Sequence, residues 1–168
     1  MEEVLSDRLS HANSGGSKMA QIACGETISN VLKKSNIQKS KVRILVVDDE
    51  PEIVHVLRDL LVFAGFEVET ARNGKQAMNL LTGRRHFDLM ITDMKMPEMD
   101  GLELLRLTHQ LKKTIPVVIL TGWPTVDDGI QSLEEGAYDY VLKPFNTETI
   151  MVVVRQALKS RSLGAWGA

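Results

Sequence analysis

The chain has 168 residues, of which 43% are hydrophobic, and its formal net charge at pH 7 is -2. This length and apolar content predict one domain of ordinary size with some chain left over, and they argue against wholesale disorder. The charge balance lacks the basic character of a nucleic-acid-binding protein, so no direct nucleic-acid partner is expected. A single cysteine, the lack of a signal-peptide pattern and the short apolar runs predict a cytoplasmic protein without membrane contact.

The two ends of the chain differ in composition from its middle. Residues 1–40 contain a Ser-Gly-Gly-Ser run and scattered polar residues, which predicts a flexible N-terminal extension. Within it, residues 26–34 place Ile28, Val31 and Leu32 at helical spacing, so this segment is either a short docking or dimerisation helix or a frayed tail. Residues 162–168 are small and glycine-bearing and are expected to form a C-terminal tail with no second domain after it.

Residues 41–161 alternate between short apolar runs and helical patterns. The β-branched run 42–47 predicts a strand buried on both faces. Pro51 suits a first helical turn, apolar residues follow at helical spacing, and Gly65 closes that helix. Further strands are predicted at 66–71, 87–92, 116–120 and 138–142, and further helices after Asn73, around 102–105, at 126–136 and from 147 to about 160.

Five consecutive strand-helix units favour one architecture. Short apolar strands that alternate with amphipathic helices indicate a parallel sheet covered on both faces, and right-handed crossovers leave few topologies. We therefore predict an α/β, doubly wound (βα)5 flavodoxin-like fold of three layers, with the sheet order 2-1-3-4-5.

Polar residues follow four of the predicted strands. In such a sheet the carboxyl ends of the strands meet at one edge, where ligands bind. The residues at that edge are Asp48, Asp49 and Glu50 after strand one, Asp93 after strand three, Thr121 and Gly122 after strand four, and Lys143 after strand five.

Three neighbouring carboxylates at this edge would repel one another. A hard cation relieves that repulsion, and Mg²⁺ prefers oxygen ligands, so Asp48, Asp49 and Asp93 predict a magnesium site. Lys143 and the Thr121 hydroxyl could then stabilise a phosphoryl group on Asp93. Each residue also has an ordinary structural reading, since Asp-Asp suits a helix N-terminus and the others suit turns, but their joint placement favours the site.

Five separated motifs resemble the receiver domain of two-component response regulators over residues 41–161. They are Asp48-Asp49-Glu50, Ile91-Thr92-Asp93-Met94-Lys95-Met96-Pro97, Asp100-Gly101, Leu120-Thr121-Gly122 and Lys143-Pro144-Phe145. The segments 121–126 and 136–140 are also similar to receivers that control sigma-54-dependent activators. Those proteins carry an ATPase and a DNA-binding domain after the receiver, and neither is present here, so the chain is either a stand-alone receiver or a fragment.

The resemblance implies a role for each residue of the edge. Asp93 would be the phosphoacceptor, taking a phosphoryl group from a sensor histidine kinase, a phosphotransfer protein or a small phosphodonor. Mg²⁺ would be bound by Asp49, Asp93 and the Lys95 backbone carbonyl, and by Asp48 mainly through water. The remaining implied roles are phosphoryl binding by Thr121, Gly122 and Lys143, a conformational switch through Thr121 and Tyr140, and a cis peptide bond before Pro144.

The implied output is a change on the face formed by the fourth predicted helix, the fifth strand and the last helix. A downstream effector or an output domain absent from this chain would read that face, and a phosphorylation-dependent homodimer is a further candidate. Tyr138 competes with Tyr140 for the switch role. The chain would be no enzyme beyond its own phosphoryl transfer and dephosphorylation.

Two other functions remain open from the sequence. A phosphatase of the haloacid dehalogenase type also uses Asp, Mg²⁺ and Lys, but it places its nucleophile and a second Asp two residues apart after strand one. A binding module that no longer uses phosphorylation would not need the complete set of acidic residues, threonine and lysine.

Overall fold

The computed structural model describes residues 42–111, 114–122 and 132–164, all within the unit Ser40–Ala168. The predicted extension with its candidate helix at 26–34, most of the fourth predicted helix and residues 165–168 of the predicted tail lie outside these residues. The strands are β1 Arg43–Val47, β2 Glu67–Ala71, β3 Leu89–Asp93, β4 Val117–Thr121 and β5 Asp139–Leu142. The helices bounded within the described residues are α1 Pro51–Phe63, α2 Gly74–Thr82, α3 Gly101–Gln110 and α4 Thr147–Ser162.

The five strands form one parallel sheet in the order β2-β1-β3-β4-β5, which confirms the predicted topology. The register aligns the last residues of neighbouring strands. Val47 pairs with both Ala71 and Thr92, and Thr121 pairs with Leu142. The carboxyl ends of all five strands therefore lie at one edge of the sheet.

Two apolar clusters cover the two faces of the sheet, because successive side chains of a strand point to opposite faces. One cluster joins strand residues to α2 and α3, and includes Leu45, Val47, Met90, Ile119, Ala77, Leu81, Leu104 and Leu105. The other joins the opposite face to α1 and α4, and includes Ile44, Val46, Ile91, Val118, Leu57, Leu61, Ile150 and Val154. This double burial explains why the strands read as continuous apolar runs.

Several element ends differ from the predicted ones. Asp93 and Thr121 are the last residues of β3 and β4 rather than the first residues after them, because the parallel pairing of β3 with β4 includes Asp93 and that of β4 with β5 includes Thr121. The last helix continues to Ser162, past its predicted end near residue 160. Its final turn is held by an ion pair between Arg161 and Asp88, a contact distant in sequence.

Side-chain caps and glycines fix the helix ends. The predicted cap Asn73 accepts a hydrogen bond from the Gln76 N–H at 2.9 Å, and Asp100 and Asn146 cap α3 and α4 in the same way. The predicted helix ends at Gly65 and Gly136 have φ values of 92° and 91°, a region that favours glycine.

Replacing the cap of α2 tests this local account. We expect Asn73→Ala to lower the free energy of unfolding by about 1 kcal/mol, because the Gln76 N–H loses its acceptor. Asn79→Ala, an exposed change within the same helix, is the matched control and should be neutral or slightly stabilising, since alanine favours helix. Chemical denaturation of both variants measures the difference, and equal effects would contradict the capping role.

Candidate functional site

Backbone hydrogen bonds carry the parallel pairing of the sheet to its carboxyl edge. The Asp48 N–H donates to the Ala71 carbonyl at 3.2 Å, and the Lys143 N–H donates to the Thr121 carbonyl at 2.7 Å. The Met94 N–H donates to the Leu120 carbonyl at 2.8 Å. The backbone at the strand ends is thus hydrogen-bonded to the neighbouring strands, which fixes the positions from which their side chains extend.

The ammonium of Lys143 lies at the centre of the site. Its Nζ is 2.6 Å from Asp93 Oδ1, 2.8 Å from Asp48 Oδ2 and 3.0 Å from Glu50 Oε1. The Lys143 and Asp93 side chains are 12% and 8% exposed, and that of Asp48 is fully buried. The ammonium donates hydrogen bonds to Asp48 and Glu50 and forms an ion pair with Asp93. Three carboxylates around one ammonium leave an excess of negative charge.

Burial and pairing shift the pKa values of two of these groups. Burial raises the pKa of Asp48, and its hydrogen bonds from Lys143 and from the Glu50 N–H offset this only in part. For Lys143 burial lowers the pKa, but hydrogen bonds to Asp48, Asp93 and Glu50 together outweigh it and raise the pKa above its usual value. At neutral pH the ionised Asp48 therefore lowers the free energy of unfolding, and the charged Lys143 raises it.

Asp93 is fixed by the backbone that follows it. Its Oδ2 accepts a hydrogen bond from the Lys95 N–H at 2.7 Å, while its Oδ1 faces Lys143. Gly101 approaches the same residue so closely that a Cβ there would lie 2.2 Å from the Asp93 carbonyl oxygen. Only glycine fits at this position without a shift of the backbone.

A cavity of about 230 Å³ opens beside Asp93 and Lys143. It is lined by Glu50, Asp93, Met94, Lys95, Thr121, Gly122 and Lys143. The structure thus brings five of the predicted site residues together around one space, with Asp48 buried behind them against Lys143. Asp49 is exposed and is not among the lining residues.

The sequence placed Glu50 at this edge without a role, and the structure shows that it contacts Lys143. It is the N-cap residue of α1, yet its side chain makes no capping hydrogen bond and reaches Lys143 instead. Glutamate is not among the preferred N-cap residues, so its presence at a predicted helix start was the available signal. Met94, which also lines the cavity, had no such signal.

The acidic residues of the site fit a magnesium ion that takes few ligands from the protein and several from water. Within the ranges described above, no group of three or more His, Cys, Asp and Glu side chains is placed to hold a metal. Mg²⁺, however, commonly takes one or two carboxylates and keeps several waters. Asp48 and Asp93 both contact the same ammonium, so their carboxylates lie close enough to share a cation in that manner.

The two tyrosines of the fifth-strand region differ in environment. Tyr140 is 37% exposed and shares a side of the strand with Leu142, which is 44% exposed. Tyr138 packs against the apolar cluster of α1 and α4. The peptide bond between Lys143 and Pro144, the candidate from the sequence, is cis.

Comparison with known proteins identifies the family. The family model of the response regulator receiver domain matches residues 44–155. The chain belongs to this family. It is 36% identical over 121 residues to the regulatory protein AtoC of Escherichia coli, and the aligned region covers 72% of this chain and 26% of AtoC. It is 37% identical over 121 residues to the response regulator MprA of a Mycobacterium species, and the aligned region covers 72% of this chain and 52% of MprA.

Solved receiver domains share the fold over their full length. The CheY-like receiver domain protein of Methanospirillum hungatei is 30% identical, with a TM-score of 0.71, and the match covers 74% of this chain and 99% of that one. By contrast, the chain spans only about a quarter of the length of AtoC and about half of that of MprA. Among its described helices, none is long and apolar enough to cross a membrane.

Removing the central ammonium tests the electrostatics of the receiver site. We expect Lys143→Met to lower the free energy of unfolding by about 3 kcal/mol, because Asp48 and Asp93 lose the cation that compensates them. Lys159→Met, an exposed change in the last turn of α4, is the matched control and should have little effect. Adding Asp93→Asn to Lys143→Met should recover part of the loss, since it removes one repelling carboxylate. Equal stabilities of the two lysine variants, measured in denaturant, would contradict the account.

Proposed function

We propose that this receiver domain is a phosphorylation-controlled switch in which Asp93 accepts the phosphoryl group. The observation that supports this most strongly is the position of Asp93 at the cavity, with one carboxylate oxygen on the Lys143 ammonium and the other on the Lys95 N–H. A sensor histidine kinase, a phosphotransfer protein or a small phosphodonor in the cytoplasm would supply the group.

The transfer step needs positioning and charge compensation more than covalent help from the protein. A carboxylate oxygen of Asp93 forms a bond to phosphorus while the bond from phosphorus to the donor nitrogen or oxygen breaks, and the donor leaves with the electron pair. Lys143 lies within reach of the incoming phosphoryl oxygens. Thr121 and Gly122 line the same space and can donate hydrogen bonds to them. Backbone pairing holds these groups in place before the donor arrives.

Magnesium belongs to the proposal as the cofactor of this step. Asp93 would hold it together with Asp49 and the Lys95 carbonyl, as the family resemblance implies, and Asp48 would bind it mainly through water. When bound, Mg²⁺ neutralises the carboxylates and the phosphoryl oxygens. Lys143, now shared by three carboxylates, could then give one of its hydrogen bonds to the phosphoryl group.

The proposed output begins at Thr121 and ends at Tyr140. Thr121 ends β4 at the cavity and pairs with Leu142 in β5, two residues beyond Tyr140. A movement of Thr121 toward phosphate vacates space that the exposed Tyr140 ring can enter. That change would reshape the surface of β5 and α4, together with the fourth predicted helix, and a downstream effector, an output domain or a second copy of the chain would read it.

The acceptor is tested by intact mass after incubation with acetyl phosphate and Mg²⁺. We expect the wild-type protein to gain the mass of one phosphoryl group and Asp93→Asn to gain none. Asp59→Asn, an exposed change in α1, is the matched control and should label as the wild type does. Labelling of Asp93→Asn would refute the assignment of the acceptor. Steady hydrolysis of phosphate esters by the wild type would favour the phosphatase alternative.

The switch is tested by NMR with beryllofluoride and Mg²⁺, which mimic a phosphorylated aspartate. We expect the Tyr140 amide to shift in the wild type and to stay in place in Asp93→Asn. The Glu67 amide, at the amino end of the opposite edge strand, is the internal control and should not move. A Tyr140 shift that is equal in both proteins would instead favour a binding module independent of phosphorylation.

A further inference from the structure

The segment of residues 94–100, here called the acceptor loop, joins Asp93 to the start of α3. It begins with the Lys95 N–H on Asp93 Oδ2 and closes on itself through a hydrogen bond from the Gly101 N–H to the Met94 carbonyl at 2.9 Å. Its two ends are therefore held by contacts at Asp93. In its middle, Met96 is buried in the apolar cluster of α2 and α3, and the Met99 N–H donates to the Pro97 carbonyl at 2.8 Å.

The first turn of α2 contacts the later part of the acceptor loop through two adjacent residues. Gly74 is buried against Met99, so closely that a Cβ at residue 74 would lie 2.5 Å from both Cγ and Sδ of Met99 and 2.7 Å from its Cβ. Beside it, Lys75 Nζ lies 2.7 Å from Glu98 Oε2. Two consecutive residues of the helix thus hold two consecutive residues of the acceptor loop.

The backbone of the acceptor loop is strained where it is held. Glu98 has a φ of 70°, a conformation that L residues other than glycine rarely adopt. Such a conformation persists when the surrounding contacts determine it, and strained residues of this kind concentrate at functional sites. The side chains of Glu98 and its neighbour Met99 both contact α2, and the Met99 N–H also donates to the Pro97 carbonyl.

The two contacts differ in strength. The side chains of Lys75 and Glu98 are 64% and 49% exposed, and exposed ion pairs contribute little. Met99 is half-buried and packs against the apolar cluster that also contains Ala77 and Leu81 of α2. The contact between Gly74 and Met99 is therefore the stronger determinant of where the acceptor loop lies.

We propose that Gly74 is a positioning residue for phosphoryl transfer. Because glycine has no side chain, Met99 can pack directly against it, and this contact places the Lys95 backbone beside Asp93. The inference rests on the proposed function. A methyl group at residue 74 pushes Met99 outward, and the shift is passed along the short acceptor loop to Lys95. The carbonyl that would bind Mg²⁺ then moves from its place, while the sheet and the other ligands stay where they are.

A double-mutant cycle with Mg²⁺ as the probe tests this inference on the whole chain of 168 residues. We expect Gly74→Ala to weaken Mg²⁺ binding about tenfold, as measured by calorimetric titration well below the unfolding temperature. Met99→Gly removes all three overlapping atoms, so Gly74→Ala should cost much less in that background than alone. Gly83→Ala, at the other end of α2, is the matched control, since a Cβ there meets only carbonyl oxygens of its own helix at 3.3 and 3.5 Å.

The outcomes separate positioning from mere stabilisation. A loss of Mg²⁺ affinity on Gly74→Ala that is much smaller in the Met99→Gly background than alone supports the proposal, whatever the order of the unfolding temperatures. A Gly74→Ala protein that is less stable but binds Mg²⁺ as the wild type does would overturn it and leave the proposed function intact. Wild-type protein that binds no Mg²⁺ would overturn the proposed function, and this inference with it.

Discussion

The structure of the site depends on one ammonium shared by carboxylates from two strand ends. Lys143 follows β5, whereas Asp48 follows β1, 95 residues earlier in the chain, and Asp93 ends β3. Without that ammonium two nearly buried carboxylates would face each other in a medium that screens charge poorly. The pairing is thus a constraint on the fold as much as a feature of the site, because strands β1, β3 and β5 must end at the same level to satisfy it.

The same arrangement of charges favours the binding of a cation and then of an anion. Two central carboxylates and Glu50 exceed the charge of Lys143, so the cluster favours a cation, and a cation would in turn release part of the ammonium for an anion. Phosphoryl transfer uses both kinds of group. The acceptor loop and its contact with α2 then connect this electrostatic centre to a helix that does not line the cavity.

The sequence predicted the sheet order and most of the residues that meet at its carboxyl edge because the strands are buried on both faces. Their apolar runs are unambiguous, and parallel topology brings their ends to one edge. The direction of side chains could not be read from chain position alone. Asp49 and Glu50 both lie just after β1 in the sequence, so either could have been expected to contact Lys143. In the structure the Glu50 side chain contacts Lys143, whereas Asp49 is exposed. The contact between Gly74 and Met99 could not be read from the sequence, because β3 separates the two residues along the chain.

In the proposed switch, Asp93 and Lys143 act on one phosphoryl group. A crystal structure of the chain with Mg²⁺ and beryllofluoride is the decisive test. We expect beryllium bonded to an oxygen of Asp93, with fluorine atoms on Lys143 Nζ and the Thr121 hydroxyl, and the metal beside Asp48. A beryllofluoride group bound elsewhere, or a Lys143 ammonium that makes no contact with the fluorine atoms, would contradict it.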